Sequence, residues 1–199
     1  MKEIGQTSRR LFVASGNKGK ISEFQALFSD LPVSLHLKPK GFEVEESGKT
    51  FAENARIKAI AVAKETGHWA IADDSGLSVT ALNGAPGVFS ARYGTTDSER
   101  IGRLLNELRG KGDRSAFFSA AICLASEEGD VLLEVEGVAS GLIALAPRGE
   151  NGFGYDPVFE IKELGLTFAE MPKQQKAQFG HRGKAFKILK PMLIKLLSD

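Results

Sequence analysis

Apolar positions along the chain fall into short runs and helical stripes, and the order of the two lays out the elements. Leu11-Phe12-Val13-Ala14 reads as a short strand, and Ile21, Phe24, Leu27 and Phe28 follow at the spacing of one helix face. Val33 to Leu37, carrying His36, gives the next strand. Thr50 with Glu53 three residues on is a capping box, and it opens a helix expected to reach Thr66, with Gly67 at its end. Ala55, Ala59, Val62 and Ala63 give that helix a packing face of small residues. Trp69 to Ala72 reads as a short buried strand that ends in Asp73-Asp74-Ser75-Gly76, with a second strand expected over Leu77 to Leu82. Asn83-Gly84-Ala85-Pro86-Gly87 is a turn-rich loop. Thr96 or Asp97 caps a helix striped by Ile101, Leu104, Leu105 and Leu108 and stopped by Gly110. Ser115 to Ser126 and Val131 to Ala139 form an antiparallel hairpin, and Leu142 to Ala146 is one more strand. The last helix buries Ala185, Phe186, Leu189, Leu193 and Leu196, and Pro191 is expected to kink or restart it. The sheet is therefore mixed, and the class is α/β with flanking helices.

Length and charge narrow this picture. The 199 residues suit one domain, taken as residues 11–199, behind a polar, basic tail over Met1 to Arg10. A net charge of +1 excludes a broad nucleic-acid footprint but not a local pocket for a small anion. The single cysteine, Cys123, sits among Ala121, Ile122 and Leu124, so a packed core thiol in a reducing compartment is expected, not a nucleophile. No apolar run has the length of a membrane span, and the tail lacks the apolar stretch of a secretory signal, so no membrane partner is expected and the setting is read as cytoplasmic.

The polar residues then supply candidate chemistry. Ser15-Gly16-Asn17-Lys18-Gly19-Lys20 joins a strand to a helix, the arrangement that aims backbone N–H groups at a phosphate, although its spacing is not that of a Walker A loop. In an extended segment Asp73 and Asp74 point to opposite faces, so one serves a site and the other braces it. Glu43, Glu45 and Glu46 lie in one loop, where a carboxylate can join a hard-cation site. Asn54 and Lys58 share a helix face. Arg92 is a further candidate partner for a phosphate or a carboxylate. Gly152-Phe153-Gly154-Tyr155-Asp156-Pro157 flanks an aromatic ring with glycines, which suits stacking against a planar group. Lys173, Lys176, His181, Arg182 and Lys184 form a basic cluster before the last helix. Each stretch alone is also ordinary turn or surface chemistry.

Taken together, six stretches stand in the order of one family. Ser-Gly-Asn-x-Gly-Lys, Glu-Glu-x-Gly-x-Thr-Phe-x-Glu-Asn-Ala-x-x-Lys-Ala, Ala-Asp-Asp-Ser-Gly-Leu, Gly-Ala-Pro-Gly-Val-x-Ser-Ala-Arg-Tyr, Gly-Phe-Gly-Tyr-Asp-Pro-x-Phe and Lys-x₄-His-Arg-Gly-x-Ala span Leu11 to the last helix. The chain thereby resembles the noncanonical purine nucleoside triphosphate pyrophosphatases, or inosine triphosphatases. The resemblance implies an elongated mixed sheet with two lobes around a central cleft, a homodimer, and Mg²⁺-dependent hydrolysis of ITP, dITP and XTP to the monophosphate and pyrophosphate. It implies Asp74 as catalytic acid and metal ligand, and Glu46 as the second metal carboxylate. It places Ser15, Gly16, Asn17, Lys18, Gly19, Lys20 and Lys58 on the triphosphate side, and Ser75 beside the catalytic acid. Phe153, Gly154, Tyr155, Asp156, Lys176, His181 and Arg182 are placed around the base and the neighbouring phosphate. Two departures from the usual pattern, Ala177 after Lys176 and Gly180 before His181, remove polar groups near the base. A pyrophosphatase for pyrimidine or other modified nucleotides, or a module that binds nucleotides without hydrolysis, stands as the alternative.

Overall fold

The computed structural model describes residues 8–198. Its elements run β1 (Arg9–Val13), α1 (Lys18–Leu27), β2 (Val33–Leu37), α2 (Phe51–Thr66), β3 (Ala70–Val79), α3 (Asp97–Glu107), β4 (Ser115–Ala125), β5 (Val131–Ile143), β6 (Phe159–Ile161), β7 (Leu166–Thr167), α4 (Lys173–Phe179) and α5 (His181–Ser198), with short 3₁₀ turns between. The strands form one seven-stranded sheet in the order β2-β1-β3-β4-β5-β6-β7. β1 runs parallel to β2 and β3, and every other pairing is antiparallel, so the sheet is mixed as its sequence pattern predicts.

Side-chain alternation along β3 decides what packs where. Ile71 faces the side on which α1 and α5 deliver Phe24, Phe28, Phe186 and Leu189. Ala70 and Ala72 face the other side, where Ala55, Ala59 and Ala63 of α2 meet Ala121, Cys123 and Ala125 of β4. Small residues on both surfaces let α2 lie close to the sheet. Farther along, Leu77 and Val79 join a third apolar cluster with Leu104 of α3, with Leu108 at its C-terminal cap, and with Phe159 and Phe168. The long strands β3, β4 and β5 connect this cluster to the other two.

Four sequence expectations change. β3 does not end at Asp73: it runs unbroken from Ala70 to Val79, and Thr80–Leu82 is a 3₁₀ turn, not strand. The ladder to β4 supplies a partner at each polar position, Asp73 opposite Ile122, Asp74 opposite Ala121 and Ser75 opposite Ala120, so turn-forming residues are held extended. β5 likewise absorbs the expected separate strand and runs from Val131 to Ile143, because β4 remains its partner as far as Ser115 opposite Leu142. Arg9 and Arg10 belong to β1, not to a tail, and the Arg9 guanidinium lies 3.9 Å from the centre of the Trp69 ring; positions 1–7 of the expected tail lie outside the described residues. α5 continues through Pro191 as one helix, with no restart.

One topological detail positions the site. β1 pairs with β3 only at Phe12–Ala70 and Val13–Ile71. At the far end of the same edge, Leu77 N–H donates to Ser90 Oγ (2.9 Å), Val79 N–H donates to Ala85 O (3.1 Å), and Ser78 bridges Pro86. Between these two neighbours, from Ala72 to Gly76, that edge of β3 has no strand beside it among the described residues.

Gly137 marks where α5 crosses β5. A Cβ there would lie 2.3 Å from both Ala185 N and His181 O. The Gly137→Ala variant is expected to lose about 1–3 kcal/mol of stability, because backbone cannot yield as a side chain can. Denaturant unfolding measures this, and the thermal midpoint falls by roughly 2–4 °C for each kcal/mol lost.

Candidate active site

A cleft of about 330 Å³ opens at the free stretch of β3. Asp74, Ser75 and Gly76 of β3 line it together with Ser15, Asn17, Lys20, Phe153, His181 and Arg182.

On the α2 side, Asp74 is held at both oxygens. Lys58 Nζ donates to Oδ1 at 3.0 Å and Asn54 Nδ2 to Oδ2 at 3.2 Å. The capping box of α2 forms as the sequence predicts, and it sets the helix so that Asn54 and Lys58, one turn apart, face Asp74 together. Lys58 also reaches Glu46 Oε1 at 2.8 Å, and Arg92 reaches Glu46 Oε2 at 3.4 Å. The Asn54 side chain also ties down the loop that carries Glu46, by accepting the Gly48 N–H at 2.8 Å. Burial alone would lower the pKa of Lys58, but the carboxylates of Asp74, Asp73 and Glu46 outweigh it and raise the value. Desolvation likewise opposes ionisation of Glu46, and Lys58 overcomes it, so its pKa is lowered.

On the opposite side Asp73 is locked away from the cleft. Arg182 donates to its Oδ2 through Nε (3.1 Å) and Nη2 (2.9 Å), and Lys20 Nζ lies 3.3 Å from Oδ1. Burial pushes the Asp73 pKa up, yet Arg182 and then Lys20 hold it far below the usual carboxylate range. Lys20 pays in the other direction: burial draws its pKa down against the pull of Asp73. Arg182 further donates to Ser75 Oγ (2.9 Å) and to Glu23. A guanidinium has five N–H donors, so these four bonds leave one for anything else.

The loop between β1 and α1 is shorter than its sequence suggests. Asn17 caps α1 by accepting the Lys20 N–H at 3.1 Å, and Ser15 Oγ accepts the Asn17 N–H at 3.2 Å. Lys18, Gly19 and Lys20 are thus the first turn of α1, because the Asn17 cap starts the helix as soon as the loop has turned. Gly16 is exposed at the cleft; Lys18 is exposed but does not line it. Gly19 has a packing role: a Cβ there would come within 2.3 Å of Phe153 Cδ1. The Phe153 ring is therefore half-buried against α1, where its flanking glycines had suggested an exposed ring.

Around Phe153 the charges are mutually engaged. Asp156 Oδ2 accepts from Phe153 N–H (2.8 Å) and from Lys176 Nζ (2.6 Å). Burial raises the Asp156 pKa against the opposing charge of Lys176. Lys176 also reaches Glu23 (2.7 Å) and lies 4.7 Å from the centre of the Phe153 ring. His181 stacks on Phe118 with ring centres 4.6 Å apart, and its Nδ1 is buried without a hydrogen-bond partner among the described residues. Gly154 and Tyr155 line the cleft, and a second cavity of about 210 Å³ adjoins Phe153, Lys176, Ala177 and Gly180. Cys123 is a buried thiol outside this cleft, and burial pushes its pKa up to about 12.

Glu23 is the residue that sequence reading missed. It joins Lys176 of α4 to Arg182 of α5, and these two cations outweigh the desolvation that would raise its pKa. Its signal was present: Glu23 lies three residues after Lys20 and one before Phe24, on the buried side of α1.

The model of the Ham1 family matches residues 11–192. A dITP/XTP pyrophosphatase of Prochlorococcus marinus (strain MIT 9313) is 62% identical over 96% of this chain and 94% of that protein. One from Nostoc sp. (strain PCC 7120) is 54% identical over 95% of this chain and 96% of that protein. The solved structure of a HAM1 protein from Coxiella burnetii has a TM-score of 0.86 at 43% identity, covering 94% of this chain and 99% of its own. The Ham1 protein of Staphylococcus aureus gives a TM-score of 0.83 at 41% identity, covering 93% and 98%.

His181 gives the site a pH signature. Burial first, then the charges of Arg182 and Lys176, place its pKa well below the ordinary imidazole value, so it is neutral when folded. The unfolded chain takes up that proton as pH falls below about 6.5, and the folded chain does not. Stability should therefore fall with pH below that point, by up to about 1.4 kcal/mol per unit from this group, until the folded-state pKa is reached. Denaturant unfolding between pH 5 and 8 should show a flatter acid limb in His181→Phe, which keeps a ring against Phe118.

Proposed function

This chain belongs to the Ham1 family, and we propose that it hydrolyses noncanonical purine nucleoside triphosphates, dITP, XTP and ITP, to the monophosphate and pyrophosphate. The observation that carries this reading is the division of labour within the cleft. Asp74 and Glu46 gather around Lys58, and an aromatic ring with Arg182 and His181 lines the same cleft. The names of the curated relatives support it. A homodimer in the cytoplasm completes the reading; no helix among the described residues is long and apolar enough to cross a membrane.

A divalent cation, Mg²⁺, fits the donor set. Lys58 Nζ touches a carboxylate oxygen of both Glu46 and Asp74, which marks a spot where two hard oxygen donors already converge on positive charge. Mg²⁺ is commonly held by one or two carboxylates together with substrate phosphates, and among the described residues no group of three His, Cys, Asp or Glu side chains could hold a metal without them. Glu46 and Asp74 would hold the ion, which when bound supplies Lewis-acid polarisation of a phosphoryl oxygen.

The residues themselves divide the rest. Asp74 accepts the proton of the attacking water, with Lys58 and Asn54 fixing the orientation of its carboxylate. Asp73 is unsuited to that role, because its ion pairs keep it a weak base and turned from the cleft. The water oxygen bonds to the α-phosphorus, the bond to the bridging oxygen breaks, and pyrophosphate leaves with the electron pair. Lys20 and Lys58 bind the phosphates and their growing charge. At the base, the one unused N–H of Arg182 meets a 6-oxo group well and a 6-amino group badly, which favours hypoxanthine and xanthine over adenine.

Pyrophosphate release measured with Mg²⁺ across dITP, XTP, ITP, ATP, dTTP and UTP tests the reading. Release from the 6-oxo purines foremost is expected; orthophosphate as the product, or a pyrimidine preference, sinks it. The Asp74→Asn variant should stay folded and lose at least a hundredfold in kcat, the scale of a general base.

A further inference from the structure

We propose that Asp97 is a positioning residue for the Phe153 ring, acting through the backbone N–H of Gly154; this rests on the reading of Phe153 as the surface that receives the purine. The ring stands between two N–H groups, and each is held by a carboxylate. Phe153 N–H donates to Asp156 Oδ2 at 2.8 Å, and Gly154 N–H donates to Asp97 Oδ2 at 2.7 Å. Asp156 is fixed in turn by Lys176 at 2.6 Å. Asp97 is fixed by Arg100, whose Nη1 donates to Oδ1 at 2.5 Å while its Nε donates to Gly94 O at 3.0 Å.

An acid in the first turn of a helix ordinarily interacts with the helix dipole and solvent. Asp97 is the first residue of α3, but both its oxygens are committed, and the one on Gly154 reaches a segment 57 positions away in sequence. The turn it holds needs the support. Gly152 and Gly154 flank the ring at φ +79° and +62°, and neither has a side chain that could anchor it. The loop's other tie to the same region is the Tyr155 hydroxyl, which donates to Ser90 O at 2.9 Å. The loop is therefore set from two directions: Lys176 with Asp156 from α4, and Asp97 with Ser90 from the segment between β3 and β4. Thr96 already caps α3 through Glu99 N–H, so Asp97 is not needed as the cap. Asp97 itself lines the cleft, on the wall beside Gly154.

The test is a double-mutant cycle read as pyrophosphate release from dITP with Mg²⁺. Asp97→Ala should raise KM about three- to tenfold with kcat within about twofold, as expected when a stacking surface is misplaced and the acid end is untouched. Asp97→Asn keeps an oxygen for Gly154 and should stay within about twofold of the wild-type KM. In a Phe153→Ala background, Asp97→Ala should add nothing further. An unchanged KM in Asp97→Ala, or the same rise in both backgrounds, overturns the proposal. Hydrogen exchange of the Gly154 amide, followed by NMR on the protein without nucleotide, reads the bond itself. Faster exchange in Asp97→Ala is expected, and an unchanged rate overturns the proposal. If the wild-type chain releases no pyrophosphate from dITP, the functional reading fails, and the exchange arm still decides whether Asp97 holds the turn.

Discussion

The ion pair between Asp73 and Arg182 is the interaction on which the rest of the structure leans. A carboxylate taken out of water is tolerated only with a counter-charge at hydrogen-bond distance, and β3 buries two in succession on opposite faces. Asp73 draws Arg182 from α5 and Lys20 from α1; Asp74 draws Lys58 from α2, and Lys58 draws in Glu46. Three helices and one irregular loop are thereby brought to the same stretch of strand. Removing one partner of such a pair leaves the other charge buried alone, a loss of about 3–5 kcal/mol, so the charges specify the packing more than they add to it.

The same pairing separates two acids that are chemically alike. Asp73 accepts two guanidinium N–H bonds on one oxygen, while Asp74 sits between an ammonium and an amide in the lining of the cleft. Arg182 also spends its donors on Asp73, Glu23 and Ser75, which fixes the direction of the single N–H left over. The rigidity of the guanidinium comes from these partners, all of them supplied by the fold itself.

Much of this was legible along the chain. The capping box at Thr50, a cap at the start of α3, the alanine face of α2 and the mixed strand pattern all carry local signals, and they appear where expected; at Thr96 the cap is a full capping box. Asp73-Asp74-Ser75-Gly76 misled because its local chemistry is that of a turn, and only β4 opposite and the helices on either face hold it extended. β5 ran past its expected end for the same reason, a partner strand that the segment itself does not reveal. At the candidate site, the six motifs named residues through resemblance but not their partners. Asp156 and Lys176, expected at the base, are tied to each other and to the Phe153 loop, and Glu23 stood in plain sight as one more charged helix residue. Which charge meets which is set by tertiary packing, and no spacing along one helix encodes it.

The three long strands have a mechanical consequence. β3, β4 and β5 pass without interruption from the clusters packed by α1, α2 and α5 to the cluster packed by α3. The clusters are thus joined by continuous strand and not by a loop that can swing. Any change in the distance between them must be taken up as added twist or bend in a continuous hydrogen-bonded ladder, which resists large excursions and returns elastically. A nucleotide bridging the cleft would work against a leaf spring, and the stiffness of that spring is written in the length of three strands.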